Sequence, residues 1–351
     1  QNDLQGVLRP MIQPKSEQQL DRVLTQPNAA DLAFARQLDG DTIVLGAGGK
    51  MGPTLALRLQ KALREAGRHT RVLAASRFQS AKAVAELRDG GVETLSCDLL
   101  DQVQVQSLPR VPNVLFLAGR KFGSAGDPEL TWAMNTIVPV HVAHHYSDSR
   151  IVAFSTGNVY PFATPEQGGC VETDVPAPKG EYAQSCLGRE RIFEYYSKHF
   201  HMPCLIFRLN YAIDLRYGVL VDIAQQVYAG RPVDLSVPSV NVLWQGDANS
   251  YAMRSLALCT SPARTLNVTG PETIQVRRAA EFFARRFARE PQFEGVPSGL
   301  ALLNNASACH AELGYPEVTA DQLMEAVATW VKDGGPSLNK ATKFQVTDGK
   351  F

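Results

Sequence analysis

The stretch LGAGGKMGP, residues 45–53, sets Gly46, Gly49 and Gly52 three residues apart. It follows the apolar run Thr42–Leu45 and opens PTLALRLQKALREAG, whose apolar residues recur at helical spacing. A tight turn, close approach of a backbone to a pyrophosphate, and close packing of a helix on a strand each exclude a Cβ. The start of the helix adds unpaired N–H groups that suit an anion. Alone, such a triplet is a weak signal. Flanked by a strand and a helix, it predicts a dinucleotide site formed by Gly46, Gly48, Gly49, Lys50, Met51 and Gly52.

Working outward, short apolar runs alternate with helical patterns: RVLAAS, ETLSCD, NVLFLAG, WAMNTIVPVHVAHHY and RIVAFST. That rhythm predicts an α/β fold, a Rossmann-type doubly wound parallel sheet. It loosens after PCLIFRLNY (203–211), where prolines become more frequent. The expected organisation is a helical N-terminal extension over 1–40, a nucleotide-binding domain over 41–208, and a smaller mixed substrate domain over 209–351. A return of some of its segments to the nucleotide-binding domain is left open. Pro10, Pro14 and Pro27 interrupt the extension. No internal repeat or low-complexity tract is present.

Composition narrows the class. The chain has 351 residues, with 35 basic side chains balanced by 35 acidic ones, so no global field draws it to nucleic acid or an anionic membrane. The Arg-rich run VRRAAEFFARRFARE (276–290) keeps Phe282, Phe283 and Phe287 at helical spacing and reads as a solvated helix face. Six scattered cysteines without a CxxC pair fit a reducing compartment, and a cytoplasmic location is expected. No run approaches a membrane span, and the first residues given carry no basic-then-apolar signal pattern.

At the end of the second strand, where NAD-binding proteins usually carry a carboxylate for the ribose hydroxyls, the chain has Ala75-Ser76-Arg77. A guanidinium there suits a 2′-phosphate. NADP is therefore the expected cofactor, with NAD as the alternative. Asp98-Leu99, ending the third strand, would lie beside the adenine.

Together the glycine spacing, Asp98, LAGRKFG (117–123), FSTGNVY (154–160) and Tyr182 resemble the extended short-chain dehydrogenase/reductases, the NAD-dependent epimerase/dehydratase family. The likeness runs from about Asp41 to the helix near Trp330 and includes LNVTGPETIQV (266–276). It implies that Thr156 hydrogen-bonds the reacting oxygen, Tyr182 is the acid/base, and Lys121 lies close to the substrate. It also implies that Ala118, Gly119 and Asn135 belong to the cofactor site. Relatives often pair through a helix bundle that includes the helix starting at Tyr182, which leaves a homodimer open.

Three departures from the family pattern carry information. Sugar-nucleotide 4,6-dehydratases follow the threonine with Asp-Glu, and here Gly157-Asn158 stands instead, so elimination by that route is not expected. Many relatives hold a nucleotide diphosphate with an arginine seven residues before an aspartate; the aspartate matches Asp247, but the arginine position is Val240. A sugar, sugar acid or polyol without a nucleotide is therefore expected, with Lys121, Thr156, Asn158, Asn210 and Arg216 as candidate substrate contacts.

The third departure is in EYAQSCLGRE (181–190), where Cys186 occupies the position of the family's lysine. A free phenol titrates near ~10 and must fall by roughly two to three units to act near neutrality. None of the ten tyrosines begins a Tyr-x-x-x-Lys sequence. Arg189, seven residues after Tyr182, lies about 20° off its helical face and leans back toward it, so Arg189 or Lys121 could replace the missing charge. The competing reading is an ordinary solvated arginine. Cys186 itself reads as a small buried residue rather than a nucleophile. HVAHH (141–145) has helical spacing for a metal but no acidic or cysteine partner, and no metal is expected.

These readings predict an NAD(P)-dependent oxidoreductase or epimerase acting on a small carbohydrate-like substrate. The alternative is a non-catalytic dinucleotide sensor or scaffold that kept the fold and lost the lysine.

Overall fold

The residues around the glycine turn fold as their pattern requires. In the computed structural model, which describes residues 12–121, 123 and 126–349, the sheet strands in chain order are β1 (Thr42–Leu45), β2 (Val72–Ser76), β3 (Glu93–Ser96), β4 (Asn113–Phe116), β5 (Arg150–Thr156), β6 (Cys204–Leu209) and β7 (Arg264–Val268). They pair in the order β7-β6-β5-β4-β1-β2-β3, every pair parallel. The order reverses at β1, which pairs with β2 through Thr42↔Val72 and with β4 through Thr42↔Asn113. In an open α/β sheet that reversal opens a crevice at the carboxyl ends of the strands, where ligands bind.

All four β1 residues are buried, as a strand covered on both faces must be. Ile43 and Leu45 join one apolar layer with Val114, Phe116 and Phe193, and Val44 joins the opposite layer with Leu55, Leu59 and Leu115. This period-two division is the doubly wound arrangement. A third apolar cluster, around Val219, Ile223, Phe283 and Val327, makes the smaller C-terminal body. β7 enters the sheet from beyond the sequence of that body's first helix, so the chain crosses back into the parallel sheet.

Among the N-terminal residues, 1–11 of the expected helical extension lie outside the described residues. The rest forms α1 (Glu17–Thr25) and α2 (Ala29–Gln37), the second opened by a reciprocal Asn28–Asp31 capping box. Asp31 is fully buried and meets Arg58 of α3 (Gly52–Glu65) at 2.6 Å, so the extension is pinned to the helix that follows the glycine turn. The Arg-rich run forms a helix over Val276–Phe287 that buries Phe283.

Two further helices frame the crevice. One is α4 (Val138–His145), reached through a π-turn over Ala133–Ile137, and the other is α5 (Gly180–Phe200). Pro139 has no N–H to close a normal helical turn behind it, which accounts for the widened turn just before it. Among the described residues no helix is long and apolar enough to cross a membrane.

Candidate active site

The glycine turn after β1 is packed so closely that side chains are excluded. A Cβ at Gly46, which holds φ +83°, would lie 2.6 Å from the Ala118 nitrogen; one at Gly52 would lie 2.6 Å from Ala47 Cα; one at Gly48 would lie 2.7 Å from Ser76 Oγ. Gly49 instead faces open space beyond Gly46 O. Beside it runs a cavity of about 170 Å³ lined by Gly46, Gly49, Ser76, Arg77, Asp98, Leu99, Ala118 and Gly119. Eight residues expected at the cofactor thus meet at one trough, together with Met134, which sequence reading missed. The Cβ-free cradle ahead of the α3 N-terminus fits a dinucleotide. Arg77 Nη1 stands 3.7 Å from Asp98 Oδ2, with the arginine exposed and the aspartate partly so.

A second cavity of about 250 Å³ shares Leu117 and Gly119 with the first and continues along the strand ends. Lys121, Thr156, Asn158, Tyr182 and Arg189 line it, so the expected catalytic side chains come together. Thr156 ends β5 and caps the short turn Gly157–Val159 by accepting the Asn158 N–H at 3.2 Å. Tyr182 lies in the first turn of α5 and lines the cavity together with Thr156. Burial pushes the phenol pKa well up; the Cys186 thiolate would push it further, and the Arg189 charge only partly offsets both.

Arg189 is 6% exposed, one of the few buried arginines of the chain. Its Nη1 donates to Phe154 O at 2.8 Å and its Nη2 to Asn135 Oδ1, while Nε has no partner among the described residues. Both acceptors are neutral. The guanidinium fits there because Gly119 has no side chain: a Cβ would collide with Nη2 and stand 3.0 Å from Asn135 Oδ1.

Two expected contacts are relocated. Asn135 lines neither cavity: it is fully buried in the π-turn, accepts the Arg120 N–H and the Arg189 Nη2, and donates to Arg120 O and Ser185 Oγ. Its amide so engaged, Asn135 fixes the Arg189 guanidinium against the Arg120 backbone. Arg216 also stays out of the cavity, because Asp214 at 3.1 Å, Asp21 at 2.9 Å and Glu17 at 3.6 Å surround its guanidinium. The expectation that it meets a substrate anion is corrected accordingly. Asn210 does line the cavity, but its Nδ2 is committed to Asn241 Oδ1 and Leu302 O.

Lys50 belongs to the turn by its backbone, yet its side chain crosses to the far wall. Nζ donates to Ala212 O at 3.2 Å and sits 4.3 Å from the centre of the Tyr217 ring. Lys121 Nζ sits 5.7 Å from the centre of the Tyr182 ring. Burial draws both ammonium pKa values down to about 8. Arg120, Tyr211, Tyr217 and Thr342 complete the wall and carried no sequence signal. Tyr211 holds φ +43°, a left-handed conformation of the kind that concentrates at ligand sites.

Other residues singled out by sequence serve the frame. Cys186 is fully buried, and burial raises its thiol pKa. Asp247 accepts the backbone N–H groups of Glu317 and Val318, and Val240 is buried in a two-residue strand paired with Ile274. His141 and His145 hydrogen-bond the carbonyls of Leu99 and Leu108.

Residues 42–213 match the model of the NAD dependent epimerase/dehydratase family. No curated protein matches the sequence. Among solved structures, the UDP-glucuronic acid 4-epimerase of Bacillus cereus in complex with NAD is 18% identical, covers 83% of this chain and 98% of its own, and superposes with a TM-score of 0.67. The UDP-glucose 4-epimerase of Thermus thermophilus in complex with NAD gives 20%, 82%, 97% and 0.64. The epimerase Mth375 of Methanothermobacter thermautotrophicus gives 16%, 88%, 97% and 0.69. At such identities the likeness is one of fold.

Proposed function

Because the chain belongs, through residues 42–213, to the NAD dependent epimerase/dehydratase family, we propose that it transfers a hydride between a nicotinamide dinucleotide and a carbinol carbon of a carbohydrate-like substrate. NADP is the favoured cofactor, since Arg77 and no carboxylate ends β2. When bound, the nicotinamide supplies the hydride acceptor and, oxidised, a positive charge. Gly46, Gly49, Ser76 and Arg77 would hold its adenosine half, and Gly119 the passage to the second cavity.

Thr156 orients the reacting hydroxyl, and Tyr182 takes its proton on the phenol oxygen. Arg189 stands in for the absent lysine. A buried guanidinium facing only neutral acceptors keeps its charge available to a phenolate, whereas one paired with a carboxylate would be neutralised. The observation that carries this reading is that Thr156, Tyr182 and an arginine held by two neutral acceptors line the same cavity.

The substrate is a sugar, sugar acid or related polyol. Solved relatives named for UDP-glucose and UDP-glucuronic acid weigh against a substrate without a nucleotide. Buried, apolar Val240, at the position of the family's diphosphate-binding arginine, weighs for it. The raised Tyr182 phenol favours one rival, a dinucleotide-binding sensor without turnover. Absorbance of the reduced nicotinamide, followed with neutral sugars, sugar acids and their UDP conjugates, separates the readings. If none is oxidised, and none is epimerised without added cofactor, the enzyme reading fails.

A further inference from the structure

Beyond its last helix, Ala320–Lys332, the chain doubles back to the site. Leu338 N donates to Arg216 O at 3.0 Å, and Thr342 N and Oγ1 donate to Asp222 Oδ2 at 2.8 and 2.6 Å. Phe344, 2% exposed, is buried in the apolar cluster of the C-terminal body. Gly349, with φ +79°, packs on Lys179 and Gly180 at the start of α5, so closely that a Cβ on either glycine would collide with the facing backbone. Residues 338–349 are therefore a strap fixed along its length, ending two residues from Tyr182's turn of α5. Arg216 anchors its base: the carbonyl holds Leu338 while Glu17 and Asp21 of α1 hold the guanidinium.

The strap fills space that adjoins the second cavity. Thr342 lines that cavity together with Gly218 and Val219. Val346, Thr347 and Gly349 line a neighbouring recess whose Asn158 and Tyr211 walls belong to both. With the strap in place the recess keeps only about 20 Å³, room for about one water. Without it, the second cavity would continue past Asn158 and Tyr211 over an apolar floor of Phe162, Ala177 and Leu302. The part left open, about 250 Å³, lies below the ~300–1,000 Å³ usual for pockets that take drug-sized ligands, and a nicotinamide entering past Gly119 would use some of it.

We propose that the strap sets substrate specificity by length: Thr342, Val346 and Thr347 end the cavity after a single sugar-sized ring and shut out a nucleotide conjugate. The inference rests on the proposed reaction site for its placement and names the substrate class, a free sugar, sugar acid or polyol. Selection here works by occupation. A longer competitor is rejected because its second half meets backbone and side chains already seated in the recess.

The test is calorimetric titration of the chain, saturated with NADP or NAD, with UDP, UDP-glucose and UDP-glucuronate. Two variants release the strap: Gly349→Val, which cannot seat against Lys179, and a chain ending at Ser337. Each is expected to bind at least one UDP probe about tenfold or more tighter than the parent does. Dinucleotide affinity should stay within about twofold in both, since no strap residue lines the first cavity; that result separates release from misfolding. If the shortened chain loses the dinucleotide, Gly349→Val alone decides, because it leaves Phe344 in the core. A parent that binds the UDP probes as tightly as the variants overturns the proposal, and so do released variants that gain nothing. Gained UDP-probe binding without hydride transfer from any sugar leaves the strap's role standing and removes the reaction assigned to Tyr182. Oxidation of a free sugar by a parent whose variants gain nothing does the converse.

Discussion

The guanidinium of Arg189 occupies the space that a side chain at Gly119 would fill. A residue in the middle of α5 and a residue just past β4 are thereby coupled at the junction of the two cavities. Arg189→Leu removes the charge; Gly119→Ala leaves the charge but displaces it. If that cation lowers the Tyr182 phenol during turnover, both variants lose kcat by about 10²-fold, the lower end of what a positioned acid/base contributes. Their pH–rate profiles should also shift together toward alkaline pH. Arg189→Lys, which keeps a charge without the fork to two acceptors, should recover part of the rate. An Arg189→Leu enzyme with an unchanged rate and profile would show that the arginine only packs the helix.

Tyr182→Phe removes the proton carrier and keeps the ring under Lys121. Turnover is expected to fall by ~10²–10⁴-fold. Dinucleotide affinity, read by fluorescence quenching, should stay within about twofold, since the glycine turn lines the first cavity and Tyr182 the second. Parent-like turnover in Tyr182→Phe removes the catalytic assignment.

How these residues could be read from sequence follows from the range of the forces that place them. The sheet was legible because β1, β4 and the glycine turn are specified locally, by apolar runs and by backbone that tolerates no Cβ. β7 was harder to place. LNVTGPETIQV resembled a substrate-domain segment, yet its first residues lie in β7, which pairs with β6 after a long excursion, and nothing local in the sequence encodes a partner that distant. At the site, Thr156 and Tyr182 could be found by spacing. Arg189 left two readings open from helical geometry alone, because its burial depends on Gly119 and Asn135 from other elements. Arg216 was misplaced for the same reason: two of its three carboxylates, Glu17 and Asp21, come from α1 at the far end of the chain. The crossing of Lys50 to Ala212 is a contact 162 residues long in sequence, and no periodicity reports it.

Arg77 is the predicted determinant of the cofactor's 2′ group. It lines the first cavity, 60% exposed at its side chain, and among the described residues its ion-pair partner is the carboxylate of Asp98 at 3.7 Å. A 2′-phosphate would outcompete that weak pair for the guanidinium. Arg77→Ala should weaken NADP by about tenfold and leave NAD nearly unchanged, and Arg77→Glu should invert the preference. Titration of both dinucleotides against the parent and the two variants checks it; equal loss for NAD and NADP would mean that the arginine contacts the shared part of the molecule or none of it.

The lysines of the second cavity give a stability prediction of definite sign. Burial first, and for Lys50 also Arg216 and Lys121, draws the ammonium pKa down to about 8, against the attraction of Asp214; for Lys121 burial is opposed by Cys186. The unfolded chain keeps a lysine near ~10.4, so between about pH 8 and ~10.4 it binds more protons than the folded chain, and stability from these groups rises with pH across that window. Below about pH 8 both forms are protonated and the unfavourable burial of charge is fully present. Lys121→Met should therefore raise the melting temperature at pH 7 by ~2–5 °C, and the gain should shrink as the pH climbs toward ~10.4. Thermal melts of parent and variant from about pH 6.5 to 10 give the curve. A Lys121→Met difference that does not change with pH would show that the ammonium is not desolvated in the folded protein.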